Sequence, residues 1–134
     1  MAAISQAMTL SLLNWSLNIG TAPTRPVGTF CGLSTTALPT SVASSEVGTA
    51  SGYVRATMTF SASTPSGSGQ ATNVASVTFG TFNAVGTVSG AFIADTVSSN
   101  AGTGLYFGSL SNARTVSSGD TLVFASAALT ITLS

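Results

Sequence analysis

The sequence predicts a mainly β domain, a β-sandwich or jelly roll with one N-terminal α-helix. From Val27 onward, short runs rich in Val, Ile, Phe and Thr alternate with polar residues at the period of two that strands require. Gly, Pro and Ser separate these runs, as in all-β domains built from short strands. In residues 3–18, apolar residues instead recur every three or four positions, which is typical of a helix. The 134 residues therefore fit one domain, 1–134, with a helix over 3–18 and a β-sandwich over 27–133.

The helix comes first in the chain. Its predicted apolar face comprises Ile4, Ala7, Met8, Leu12 and Trp15, widened by Leu10, Leu13 and Leu17. Gly20 follows as a stop signal, with Pro23 and Pro26 beyond it. A cleaved secretory signal is the alternative, but the segment lacks a basic start and polar residues interrupt its apolar run. We therefore expect a retained helix, and we expect no membrane span because no run approaches roughly 18 apolar residues.

Seven strands are predicted after the helix, at residues 27–33, 53–60, 74–82, 86–95, 105–110, 121–125 and 128–133. Polar loops are expected at 40–52 and 61–70, the latter because of Pro65, Gly67 and Gly69, and a turn is expected at 118–120.

Alternation along two of these strands predicts which side chains are buried. In the strand at 53–60, Val54, Ala56, Met58 and Phe60 should face the core, which places Tyr53 and Arg55 on the outer face. In the strand at 86–95, Phe92 and Ile93 point to opposite faces, so both sides of this strand are expected to be covered.

The composition excludes many classes of function. The chain has three Arg, three acidic residues, no Lys and no His, and Ser plus Thr make up 43 residues. Without His or Lys, a Ser-His-Asp triad, a Cys-His pair and a Schiff-base lysine are all excluded. Three basic side chains cannot follow a phosphate backbone, so we expect no binding of nucleic acid. A surface with so few charges repels copies of itself weakly, which favours a subunit of a larger assembly.

The few reactive side chains have structural explanations. Asp120 lies in a predicted turn, Asp95 at the end of a strand and Glu46 in a loop, so paired-carboxylate catalysis of the glycosidase type is not favoured. The carboxylates are too far apart in sequence for a local calcium site. Cys31 lies within a strand and is interpreted as a buried hydrophobic residue. We therefore expect no catalytic residue, no cofactor and no metal site.

The order of several segments is familiar. The chain contains "ISQAMTLSLLNWSLNIGTA", "GTFCGLSTTALPT" and "EVGTASGYVRATMTFSA", followed by "NVASVTFGTFNAVGTVSGAFIAD", "GLYFGSL" and "TVSSGDTLVFASAALTITLS". In this order and spacing, residues 4–133 resemble a family of small tailed-phage virion proteins. The chain departs from the family pattern at Ser34, where an apolar residue is usual, and at Leu38, inserted before Pro39. These departures lie at strand ends and in loops.

The resemblance implies a non-enzymatic virion protein. Such proteins are labelled tail-fibre-like, and similar small phage β-proteins decorate or cement capsids, often as jelly-roll trimers. We expect a capsid decoration protein on the outside of the particle, a homo-oligomer and most simply a homotrimer, bound to the major capsid protein or to other virion proteins. The alternative is a tail-fibre or tail-tip component that binds a host receptor through aromatic residues such as Trp15, Tyr53 or Tyr106. A secreted adhesin or pilin-like subunit, cleaved near Gly20, is the third hypothesis.

Four residues are candidate contacts with other subunits or with the capsid: Trp15, Tyr53, Arg55 and Arg114. Each arginine, Arg25 included, is expected to find a carboxylate within the subunit or across an interface. Arg55, beside Tyr53 on the outer face, is the leading candidate, and a solvated strand arginine is the alternative. For Trp15 and the helix leucines, packing on the sandwich is favoured over packing on a neighbouring subunit.

Overall fold

The computed structural model describes residues 2–42, 45–48, 51–62 and 69–133, and in these it is mainly β with one helix near the N-terminus, as predicted. The elements in chain order are β1 (Ala2–Ile4), α1 (Gln6–Ser16), β2 (Phe30–Ser34), β3 (Ala56–Thr57), β4 (Gly69–Thr72), β5 (Val77–Thr78), β6 (Gly86–Ala94), β7 (Gly104–Val116), β8 (Val123–Phe124) and β9 (Thr130–Leu133).

The strands form one larger sheet and two ribbons. The five-stranded sheet is antiparallel with the order β1-β7-β6-β2-β3, while β4 pairs with β9 and β5 pairs with β8. Side chains from the sheet and from both ribbons share one core, in which Leu33 and Ile93 of the sheet lie with Val77 and Ile131 of the ribbons. The layer packed on the sheet therefore consists of two short ribbons rather than one continuous second sheet.

The other face of the five-stranded sheet is covered as well. Phe92 and Phe107 form a second buried cluster with Val42 and Ala94. Ile93 lies in the main core, so neighbouring residues of β6 are buried on opposite faces. The prediction that this strand is covered on both sides is confirmed. A loop contributes to the cover of this second face, because Val42 lies in the connection between β2 and β3.

Helix α1 has well-defined ends. Ser5 is its N-cap: the Ser5 hydroxyl accepts a hydrogen bond from the Met8 amide at 3.2 Å, and the Ser5 amide donates to the Leu105 carbonyl. At the other end Asn18 has a φ of 57°, and the amides of Asn18 and Ile19 donate to carbonyls of the last turn, as in a Schellman motif. Asn18, not Gly20, therefore ends the helix. The described part of the chain contains no helix long and apolar enough to cross a membrane.

Several predicted boundaries are wrong for identifiable reasons. Residues 3 and 4, predicted as the start of the helix, belong to β1 because β7 offers them backbone partners. The strand predicted at 53–60 is reduced to β3, with an isolated bridge between Phe60 and Asn73. Strand β4 begins at Gly69, inside the loop predicted at 61–70, and pairs with the C-terminal strand. Pro65 and Gly67 of that loop lie outside the described residues.

Candidate interaction surface

Arg55 forms a buried ion pair with Glu46. The Arg55 Nε and Nη2 atoms donate to the Glu46 Oε1 and Oε2 atoms, each at 2.8 Å, and both side chains are 0% exposed. The Arg55 guanidinium also lies 5.1 Å from the centroid of the Phe92 ring, within cation–π distance. Arg55 has thus found a carboxylate within the subunit, but the prediction that it lies on the outer face is wrong.

The same pair fixes the loop between β6 and β7. The Arg55 Nη1 atom donates to the carbonyl oxygens of Thr96, at 2.8 Å, and Ala101, at 3.0 Å. The Glu46 Oε2 atom accepts from the backbone amide of Asn100 at 2.6 Å. Two carbonyls of the loop thus accept from Arg55, and one amide of the loop donates to Glu46. The ion pair therefore holds both sides of the β6–β7 loop against the sheet.

Tyr53 belongs to this network. Its hydroxyl accepts from the Leu33 amide at 2.9 Å and donates to the Glu46 Oε1 atom at 3.0 Å. Its ring stacks on Phe79, with 6.1 Å between centroids. Burial raises the pKa of Tyr53 well above its ordinary value, and the nearby Glu46 carboxylate adds to this rise.

Tyr53 is therefore buried, and its predicted place on the outer face is wrong. The physical reason is that residues 53–55 run outside any strand, so the alternation extrapolated from Met58 does not hold for them. Val54 is exposed in consequence, although the alternation placed it in the core. A buried Tyr53 ring cannot stack on a glycan.

The other two carboxylates serve local turns. The Asp95 Oδ1 atom accepts from the Thr103 amide, which closes the base of the β6–β7 loop. The Asp120 Oδ2 atom accepts from the Ser117 amide, three residues earlier, within the turn that the sequence predicted. Among the described residues, no three His, Cys, Asp or Glu side chains gather as a metal site would require. Cys31 is buried, and this burial raises the pKa of its thiol to about 12.

A free apolar surface lies on the end of α1 and the turn that follows. Every residue of α1 is at least partly exposed, and Met8 is the helix residue packed against the core. Five of the six large apolar side chains from residue 10 to residue 19 are half or more exposed, Leu12 being the exception: Leu10, Leu13, Trp15, Leu17 and Ile19. We call residues 10–19 the apolar arm. Packing of the helix on the β-layers, which the sequence favoured for Trp15 and the leucines, therefore holds only for its first half.

A groove separates α1 from the segment that leads to β2. Its volume is about 570 Å³, and its lining includes Met8 and Ser11 of the helix, Arg25 and Val27 of the segment, and Asp95 of the β6–β7 loop. Arg114, the fourth predicted contact, is exposed at the far end of β7, away from the groove lining. The structure thus places Trp15 and Arg114 at the surface and Tyr53 and Arg55 in the interior.

The sequence contains evidence for the apolar arm, but the helical periodicity led us to predict a single wide apolar face. A helix with large apolar residues on two opposite sides is normally covered on both sides. Leu10, Leu13 and Leu17 were interpreted as a wider version of one face, but they lie opposite Met8 and Leu12 on the helix. Residues 1–24 also contain no charged side chain. These two facts together would have indicated a second contact surface.

Comparison with known protein families matches residues 3–132 to the family Gp80, described as podophage GP4 fiber I protein gp80. The match spans nearly the whole chain. The chain belongs to the Gp80 family. Comparison with curated proteins finds no matching sequence.

Membership of the Gp80 family makes this chain a structural component of a tailed-phage virion, and the family is fibre-like by its description. The resemblance noted from the sequence segments is thereby confirmed over almost the same residues.

Proposed function

We propose that this chain is a non-enzymatic subunit of a virion fibre and that it attaches to neighbouring virion proteins through its apolar arm. The observation that carries the proposal is the exposure of five large apolar side chains on the end of α1 and the turn that follows it. Contiguous apolar patches larger than a few hundred Å² are rare on monomeric proteins, and such patches mark interaction sites. The description of the Gp80 family as a fibre protein supports the fibre as the place of attachment.

The β-layers supply a rigid body for this role. The buried Glu46–Arg55 pair and the two covered faces of the central sheet fix the loops around one end of the molecule. The surface itself is polar without being ionic, since Ser and Thr account for 43 residues and charged side chains for 4% of the chain. Contacts outside the arm would then depend on hydrogen bonds and on a few charged side chains. Exposed Arg114 is the leading candidate for a charged contact with a neighbouring protein.

Capsid decoration is the competing assignment. In that role the chain would bind the major capsid protein and stabilise the assembled shell by mass action, because it would bind the shell but not its dissociated parts. The sequence favoured this role, and the same arm would serve as its attachment. The two assignments differ in the number of copies per particle and in the place where those copies sit.

Both quantities can be measured on purified virions. Immunogold labelling with antibody against the body of this chain should place gold particles at a fibre, and gel densitometry against the major capsid protein should give tens of copies or fewer. Label distributed over the icosahedral shell, with hundreds of copies per particle, would overturn the fibre assignment. Particles carrying Trp15→Ser should incorporate less of the protein, whereas Val97→Ser, an exposed apolar residue on the β6–β7 loop, serves as the matched control.

A further inference from the structure

The groove between α1 and the segment that leads to β2 combines an apolar lining with two opposite charges. Buried Leu105 and half-buried Met8 line it where it meets the core. Its volume of about 570 Å³ lies within the roughly 300–1,000 Å³ typical of ligand sites. Arg25 and Asp95 line it as well. The chain has six charged side chains, and two of the four that lie outside the buried ion pair therefore line this one groove.

The two charged side chains of the groove are not neutralised by the protein itself. Within the described part of the chain, Arg25 has no hydrogen bond and no ion pair. The Asp95 Oδ1 atom accepts from the Thr103 amide at 2.8 Å, whereas the Oδ2 atom has no partner among the same residues. A ligand with a single charge would be attracted by one of these side chains and repelled by the other. The groove therefore favours a ligand that carries both charges or neither.

The β6–β7 loop holds the Asp95 carboxylate in position. The Asp95 amide donates to the Thr103 carbonyl at 3.2 Å, across the base of the loop. Gly102 has a φ of 77°, and a Cβ atom there would overlap the Asp95 Oδ1 atom, so the loop lies directly against the carboxylate. The buried ion pair fixes the same loop from the other side. A ligand therefore meets a carboxylate that is already ordered, and binding does not have to immobilise it.

Residues 21–28, which we call the proline segment, add unpaired backbone groups to the groove. Pro23 and Pro26 fix their own φ at about −65° and bias the residues before them toward an extended conformation. Within the described part of the chain, the proline segment makes no hydrogen bond. The amides of Thr24 and Arg25 and the neighbouring carbonyls are thus available to an extended chain laid beside them. Main-chain hydrogen bonds of this kind provide affinity when peptides bind along an extended segment.

We propose that this groove binds an extended segment of another virion protein, in which an apolar side chain lies between an acidic and a basic one. The apolar side chain contacts Met8 and Leu105. The acidic side chain pairs with Arg25, and the basic one pairs with the free oxygen of Asp95. The inference adds a second attachment site to the apolar arm, and it rests on the proposed function in one respect, because it takes the partner to be a virion protein.

A peptide fits the groove better than a saccharide does. Among the described residues, no Trp, Tyr or Phe lines the groove, so a sugar ring finds no aromatic face to stack on. Met8 is flexible and suits apolar side chains of varied shape, as methionines do on peptide-binding surfaces. The unpaired backbone of the proline segment matches the backbone of a second polypeptide, which carries one donor and one acceptor at most residues.

The test applies the purified full chain to an array of overlapping short peptides that cover the other structural proteins of the virion. We expect the chain to bind a few peptides in which an acidic, an apolar and a basic residue occur together. Arg25→Glu should weaken this binding by at least about tenfold, because it replaces attraction to the peptide carboxylate with repulsion. Arg114→Glu is the matched control: it changes the net charge equally, at an exposed arginine outside the groove lining, and should bind as wild type does.

Three results would overturn the inference: binding to no peptide, an equal effect of Arg25→Glu and Arg114→Glu, or binding only to a parallel array of neutral and acidic oligosaccharides. Circular dichroism with a thermal scan shows that Arg25→Glu is folded, as expected for an exposed side chain without a partner. Trp15→Ser separates the groove from the arm, because it should leave peptide binding unchanged. Reduced incorporation of Trp15→Ser into virions without any peptide binding would refute this inference alone. Peptide binding that Arg25→Glu weakens, together with normal incorporation of Trp15→Ser, would refute attachment through the arm alone.

Discussion

Arg55 and Glu46 meet in a two-point contact in the interior of a protein that has only six charged side chains. Both hydrogen bonds of the contact measure 2.8 Å, and Tyr53, Thr96, Asn100 and Ala101 supply the remaining partners. In the described residues, no buried side-chain nitrogen or oxygen lacks a hydrogen-bond partner. Two of the six charged side chains, Glu46 and Arg55, therefore lie inside the molecule, where they hold loops in place.

The first prediction is that Arg55→Met lowers the free energy of unfolding by about 3–5 kcal/mol. The substitution leaves the Glu46 carboxylate buried without its counter-charge, which costs far more than the pair contributes when intact. Urea denaturation followed by circular dichroism measures the change. The double variant Glu46→Gln, Arg55→Met should lose less than Arg55→Met alone, because it removes the orphaned charge as well. A loss below about 1 kcal/mol for Arg55→Met would contradict the buried pair.

The second prediction concerns the Tyr53 hydroxyl. Tyr53→Phe keeps the stacking on Phe79 but leaves the Leu33 amide and Glu46 each short of one hydrogen-bond partner. We expect a loss of about 1–3 kcal/mol in the free energy of unfolding. Tyr106→Phe is the matched control on the neighbouring part of the sheet, with an expected change below about 0.5 kcal/mol. Equal effects of the two substitutions would show that the Tyr53 hydroxyl is not bound as described.

The third prediction tests the close packing of β2 on Phe92. A Cβ atom at Gly32 would overlap the buried Phe92 ring at its Cζ atom, so the ring would have to shift within the packed interior. Gly32→Ala should therefore lower the free energy of unfolding by about 1–3 kcal/mol or prevent folding. Gly86→Ala has nothing within 4 Å of the added atom and should be neutral or slightly stabilising. Thermal unfolding of Gly32→Ala and Gly86→Ala, measured in parallel, tests whether only the first substitution destabilises the protein.

The fourth prediction is a loss of stability in alkali. Burial raises the pKa of the Cys31 thiol from 9.0 to about 12, so the folded state keeps its proton where the unfolded state loses it. The buried neutral thiol contributes fully to the free energy of unfolding below about pH 9. As the pH rises from there toward the pKa of the folded state, that free energy falls by up to about 1.4 kcal/mol per pH unit. From about pH 8 to about pH 10.5, wild type should lose about 1–2 kcal/mol more than Cys31→Ala. Parallel slopes for the two proteins would contradict the buried thiol.

Periodicity predicted the parts of the fold in which backbone geometry alone controls burial. The adjacent apolar residues Phe92 and Ile93 were correctly assigned to opposite faces of a strand, because side chains in an extended chain must alternate between faces. The segment 53–60 failed because its first residues leave the sheet, and alternation carries no information once the chain stops being a strand. Strand β4 was missed because Gly69 and Gln70 have weak strand propensity, and its pairing with β9 depends on residues about 60 positions away.

The sequence by itself determined the mainly β class, the N-terminal helix, the lack of His and Lys chemistry and the resemblance to tailed-phage virion proteins, since each follows from residue types or local spacing. Only the tertiary structure decided where the charges and the leucines lie. Glu46 and Arg55 are nine residues apart along the chain and meet only because the chain folds back between them. Whether Leu13 is core or surface depends on which side of α1 meets the β-layers, and long-range contacts, not helical spacing, fix that side.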